Sequence, residues 1–194
     1  MHRYHDEHGH FPRAAIANKE GEALLSWRVA LLPFLGLEEL YKEFKLDEPW
    51  DSAHNKRLLA KLPKVYATPE GAKKVPDGTY FQVFVGKDTV FEEGKDIQFQ
   101  DITDGTSSTI LIIEAGKTIP WTKPEDLPYS ADKPIPELGG AIEDGLISLV
   151  TADGAVHRLR RGVDKEFEEN LRIYITRNDG AIILDWKDLD PLDP

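Results

Sequence analysis

His2, His5, His8 and His10 fall within the first ten residues, with Asp6 and Glu7 between them. On a helix His5 and His8, at i and i+3, share a face, and two imidazoles so placed can hold Zn²⁺ or Ni²⁺. The blander reading is a polar, solvated helix end. Asp101 and Asp104, with the hydroxyls of Thr103, Thr106 and Ser107, offer the oxygens that Ca²⁺ takes. Their spacing does not fit an EF-hand loop, and Asp/Thr/Ser clusters are ordinary turn and cap chemistry. Glu114, Glu143 and Asp153 are candidate carboxylates for hydrolysis, which needs two such groups placed across a cleft. Trp50 and Trp121 can stack on sugar rings, although tryptophans beside prolines are more often packing anchors.

Several function classes are disfavoured. The chain has no cysteine, hence no disulfide framework, Cys-based metal site or Cys nucleophile. It carries no nucleophile-elbow or phosphate-loop signature. A net charge of -11 argues against nucleic acid. The one dense basic run, His157-Arg158-Leu159-Arg160-Arg161, alternates as the exposed face of a strand does. No run of about 18 apolar residues is present to cross a membrane, and no signal peptide is visible. With 194 residues, 40% of them hydrophobic, one domain over 1–194 can bury a real core.

The elements that must position these residues are organised around Leu24–Pro63. An apolar run, Leu24–Leu35, is bent by Pro33 and released at Gly36. Leu37, Leu40, Tyr41 and Phe44 then make one helical stripe, and Leu58, Leu59 and Leu62 a second, capped by Asp51 or Ser52 and stopped by Pro63. Lys64-Val65-Tyr66 reads as an extended exit, and Thr68–Gly71 as a turn. Strands are expected at Tyr80–Val85, at Thr109–Glu114 (central and buried on both faces), and at Leu146–Thr151 and Ala155–Leu159, the last two joined by Asp153-Gly154. Residues 116–140, with five prolines, read as a surface excursion pinned by Trp121 and Tyr129. Asp164 caps a helix over Lys165–Arg177, followed by a last strand, Ala181–Trp186, and an acidic tail, 188–194. The expected core includes Trp27, Leu31, Ile110, Ile112, Leu149, Phe167 and Leu171. Residues 1–9 have helical composition and end at Gly9; they read as the stub of a longer helix, held by Tyr4 and Phe11.

The order of these pieces resembles a family of pseudopilin-like proteins of unknown function from planctomycete bacteria, which carry a prepilin-type N-terminal segment and a secreted domain. The matching segments are Tyr4-His5-Asp6 with Gly9-His10-Phe11-Pro12, Ser26-Trp27-Arg28-Val29 with Leu31-Leu32-Pro33-Phe34-Leu35, and Leu46-Asp47-Glu48-Pro49-Trp50-Asp51-Ser52 with His54-Asn55. Further matches are Asp101–Thr109, Pro120–Leu127 and Ala152-Asp153-Gly154 with Val156. The sequence departs from the family in lacking the apolar half of the N-terminal helix. It has Glu143 where a His is usual, and Ala67-Thr68-Pro69 where many members have a Cys.

The resemblance implies an α+β, type IV pilin-like fold: an antiparallel sheet packed against helices, with the N-terminal helix truncated. It implies no known activity; with no catalytic signature in the sequence, the expectation is a non-enzymatic structural or interaction domain, which the resemblance places in a cell-envelope or extracellular protein. Partners would be another protein or a second copy through the N-terminal helix, without nucleic acid, membrane contact or a required cofactor. The alternative is an extracytoplasmic module that binds carbohydrate through Trp50 and Trp121, or a metal ion through His5 and His8 (Zn²⁺) or Asp101 and Asp104 (Ca²⁺).

Overall fold

The computed structural model describes residues 1–68, 75–141, 145–162 and 165–181. The α+β class holds: helices pack on a mainly antiparallel sheet. The turn at 68–71 beyond Thr68, Asp164 as a cap, Glu143 as a carboxylate, the last strand beyond Ala181 and the acidic tail all lie outside the described residues.

Helix α1 (His2–His8) ends at Gly9, whose φ of 78° is the left-handed turn that a residue without Cβ adopts readily. Pro12 keeps the next residues extended, and β1 (Ala15–Ala17) pairs antiparallel with β2 (Ala23–Ser26). Ser26 then caps α2 (Trp27–Ala30), its Oγ accepting the Arg28 N–H. Pro33 opens a 3₁₀ turn that Gly36 closes, and α3 (Glu38–Glu43) follows. The second helical stripe is a 3₁₀ helix, Asn55–Lys61, rather than an α-helix; Ser52 Oγ accepts the Asn55 N–H at its start. Asn55 itself is buried and bonds the backbone of Lys45, Glu48 and Pro49, which fixes the corner ahead of Trp50. Lys64–Tyr66 is likewise a 3₁₀ turn and not an extended exit, because the Tyr66 ring turns inward and its hydroxyl donates to Arg28 O.

The main sheet has the order β3-β5-β7-β8, antiparallel throughout: β3 (Gly78–Gln82), β5 (Ile110–Pro120), β7 (Leu146–Thr151) and β8 (Val156–Arg160). The expected strand over Tyr80–Val85 breaks at Val83, whose N–H goes to the Asp126 carboxylate instead of a neighbouring strand. Phe84–Val85 (β4) continues as a parallel partner of β6 (Leu127–Pro128). β5 runs past the expected end into the Pro-rich stretch. It does so through a bulge: Phe81 faces Glu114 while Thr79 faces Ile119. Gly116 and Gly140 meet inside that bulge, where an added Cβ on Gly140 would lie 2.1 Å from Gly116 O. The β7–β8 hairpin forms as expected. Its loop is Ala152-Asp153-Gly154, with the Thr151 N–H on Ala155 O and the Gly154 N–H on Thr151 O, Gly154 at φ 90°.

A second irregularity, between Ile110 and Ile112, sends Leu111 to one face of the sheet while Ile110 and Ile113 share the other. Two apolar layers result. Ile110, Ile113, Ile147, Leu149 and Leu159 pack under α4 (Lys165–Ile175), which contributes Leu171, Tyr174 and Ile175. Leu111, Val83, Trp121 and Ala152 join Leu25, Trp27, Leu32 and Phe11 from the N-terminal segments. Of the expected core, Trp27, Leu31, Ile110, Leu149 and Leu171 are buried, whereas Ile112 and Phe167 are half-buried.

Candidate functional site

The apolar run Leu24–Leu35 contains one charge, Arg28, and its side chain is fully buried. A buried guanidinium requires a counter-charge and acceptors for its N–H groups. Arg28 finds both. Nη2 donates to Asp126 Oδ1 at 2.7 Å and to Phe81 O at 2.6 Å, Nη1 to Ser26 Oγ and Asp126 Oδ2, and Nε to Phe81 O. Its cationic carbon lies 4.5 Å from the centre of the Trp27 ring. Asp126 also accepts the Val83 N–H and the Trp27 indole N–H. Burial pushes the Asp126 carboxyl above its ordinary value, while Arg28 and the Val83 and Trp27 N–H groups pull it back. This network ties α2, β3 and the segment leading to β6 together. Its bonds are saturated internally, so its chemistry is that of a clamp.

A second clamp holds the exit of α4. Arg177 donates to Thr89 O and pairs with Glu92 at 2.8 Å. Burial pushes the Glu92 carboxyl up, but hydrogen bonds from Lys95, Arg177 and the Asp88 N–H hold it below its usual range. The candidate Ca²⁺ ligand Asp104 belongs to this clamp: its two oxygens accept the N–H groups of Asp179 and Gly180. Asp101 is spent elsewhere, in a capping box with Gln98.

The other candidates also separate. Trp121 is fully buried and donates to Leu59 O, so it is a core residue and offers no sugar-stacking face. Trp50 is half-buried, with the Lys123 ammonium 5.7 Å above its ring. Glu114 is buried and accepts the Ala141 and Ser148 N–H groups, and Asp153 accepts the Thr151 hydroxyl and the Ala155 N–H within the hairpin loop. His5 lies on Phe11 and Phe99, and its Nε2 accepts the Phe99 N–H. His8 stacks on Tyr4 and bonds Tyr4 O. Among the described residues no group of three or more His, Asp or Glu is arranged to hold a metal ion.

What the histidines do is dock α1. His2 Nε2 bonds Ala152 O in the hairpin loop and its ring meets Phe99; Tyr4 meets Phe34 edge-on. No residue of α1 is buried, and Arg3, Asp6 and Glu7 on its outer side are exposed. α1 is therefore fastened along one side and open along the other.

The family described as SBP_bac_10, protein of unknown function (DUF1559), matches residues 1–84. The chain is similar to that family from α1 through Phe84, a span that holds Arg28 and Asn55 but not Asp126. No curated protein and no solved structure matches the chain. Among the described residues no helix is long and apolar enough to cross a membrane.

Arg28 and Arg177 were not singled out as functional residues by sequence reasoning. A signal for Arg28 was present: a lone arginine in a strongly apolar run must be paired. Nothing in the spacing pointed to Asp126 as the partner.

Proposed function

We propose that this chain is a non-enzymatic interaction domain, the pilin-like head of a pseudopilin-like cell-envelope protein, working through protein contacts and without a cofactor. The observation that carries this reading is α1, anchored on the hairpin loop and on Phe34 and Phe99 while its outer side stays uncovered. α1 meets the loop end of the β7–β8 hairpin and α4 covers one face of the antiparallel sheet, and the resemblance to pseudopilin-like proteins leads us to read this unit as a head domain. The match of a family of unknown function to residues 1–84 supports the resemblance over α1 and the segments that hold it. Within this reading the domain spans the whole chain, and the partner is another envelope protein or a second copy meeting α1.

The test is a photo-activated cross-linker at Glu7 in cells that express the gene. Adducts to an envelope protein or to a second copy, recovered in the envelope fraction, are the expected outcome. Recovery of the protein in the cytosol, with no adduct at Glu7 but normal folding, would overturn the reading.

A further inference from the structure

Among the described residues the hairpin β1–β2 has one covered edge and one open edge. On the β2 side, the Ser26 N–H goes to Thr122 O and Leu24 O takes the Trp50 N–H. These outward bonds fix the ladder. Ala15 faces Ser26, so Ala15 too directs its N–H and C=O away from its partner; Trp27 N–H to Ala14 O and Asn18 N–H to Glu22 O are the inward bonds that flank this stretch. By the same alternation Ile16 bonds inward and Ala17 outward. No described residue takes the outward groups of Ala15 or Ala17. Unpaired backbone groups on a strand are a template for another strand.

Against this hairpin lies a groove of about 530 Å³ that takes in Arg13–Ala15 and Ala17 of the β1 side, Gly21 and Ala23 of the β2 side, and Phe91–Gly94, Pro124–Asp126 and Pro128 opposite. The alanine side chains of β1 let another backbone approach closely. At the lip, Glu93 is exposed and makes no ion pair among the described residues, whereas Glu92, Glu125 and Asp126 are each paired with a cation of the chain. Strand β8, an edge of the main sheet, differs. It presents Arg158 and Arg160, charges of the kind that discourage strand pairing, where β1 presents Ala, Ile and Ala.

We propose that β1 accepts an extended segment of a partner protein as an added antiparallel or parallel strand, with a lysine or arginine of that segment seated against Glu93. Backbone bonds to Ala15 and Ala17 supply the pairing, and the carboxylate supplies the preference for a basic side chain. A second copy of this chain is disfavoured as occupant by its own net charge of -11. The site is separate from the outer side of α1 and stands without the reading given for that helix.

The experiment uses a short synthetic peptide of alternating valine and lysine, followed by amide-resolved NMR. Saturating peptide is expected to slow hydrogen exchange at the Ala15 and Ala17 amides by about tenfold or more. The same peptide N-methylated on alternate residues should have no effect, because its backbone cannot pair. Ala17→Pro removes an outward N–H without touching the β1–β2 bonds and should abolish binding with the thermal midpoint retained. Glu93→Lys should weaken binding severalfold. Absence of binding at millimolar peptide would overturn the proposal. So would binding that leaves Ala15 and Ala17 unprotected or tolerates the N-methylated peptide. Protection that rises with protein concentration alone would assign the edge to a second copy and refute the partner proposed.

Discussion

Arg28 and Asp126 illustrate how little a single residue type says about function until its surroundings are known. Their side chains are 0% and 2% exposed, and every N–H of the guanidinium has an acceptor. Asp126→Asn keeps the shape and removes the charge, leaving a buried cation without its counter-ion. The expected loss is about 3–5 kcal/mol by urea denaturation, and the double variant with Arg28→Met should recover part of it. A loss near zero would mean that the clamp is not closed in solution. Surface carboxylates give the pH dependence. The hydrogen bond from Arg13 holds the Asp96 carboxyl below its usual value of 3.8, against the opposing pull of burial. The Thr151 hydroxyl and the Ala155 N–H do the same for Asp153. A depressed native value means that the unfolded chain binds more protons in acid. Their stabilisation is thus complete above the ordinary carboxylate range and is lost as pH falls below about 4. Urea midpoints measured at neutral and acid pH should show this fall, and a smaller one in Asp96→Asn. The candidate ligands were legible as residues but not as sites. Asp101, Asp104, Glu114 and Asp153 are all committed to backbone N–H groups: Asp101 and Asp153 within their own turns, as ordinary turn and cap chemistry, and Asp104 and Glu114 through contacts distant in sequence that no local pattern shows.

At the scale of elements, the strands with strong local signals were readable from sequence: the apolar run that became β5, and the Asp-Gly hairpin of β7 and β8. The misjudged elements are those decided by a distant partner. Val83 leaves its strand because the buried Asp126 carboxylate takes its N–H, and Lys64–Tyr66 turns because Arg28 O accepts from Tyr66. The extension of β5 to Pro120 was hidden by the prolines that follow it. It depends on residues 137–141 running beside the bulge, with the Gly116, Gly139 and Gly140 N–H groups bonded to Glu137, Glu114 and Ala115 O. Two backbones touch there, so Gly140→Ala would force a methyl against Gly116 O at 2.1 Å. Neither backbone can yield without breaking these bonds. The expected cost is about 1–3 kcal/mol in chemical denaturation. A neutral substitution would place the crossing elsewhere.

At the scale of the whole molecule, one sheet carries two apolar layers, and the question is whether they act as one folding unit. Leu25, at 0% exposure, lies in the layer beneath the N-terminal segments; Leu171, at 1%, lies beneath α4 on the opposite face. The layers share β5, which sends Leu111 to the first and Ile110 and Ile113 to the second. The Arg28 clamp adds a link through β3, and the Arg177 clamp ties the end of α4 to Asp88 and Thr89 beyond β4. Losing either layer would strip one face of the same central strand, so neither should survive alone. Leu25→Ala and Leu171→Ala should each cost about 2–5 kcal/mol. Because their side chains belong to different layers and share no partner, the two losses should add. Both should move a single transition, seen alike by tryptophan fluorescence (Trp27 and Trp121 in the first layer) and by far-ultraviolet circular dichroism. If Leu171→Ala instead splits the curve, with fluorescence unchanged while ellipticity falls, the α4 layer unfolds by itself and the shared strand does not couple them.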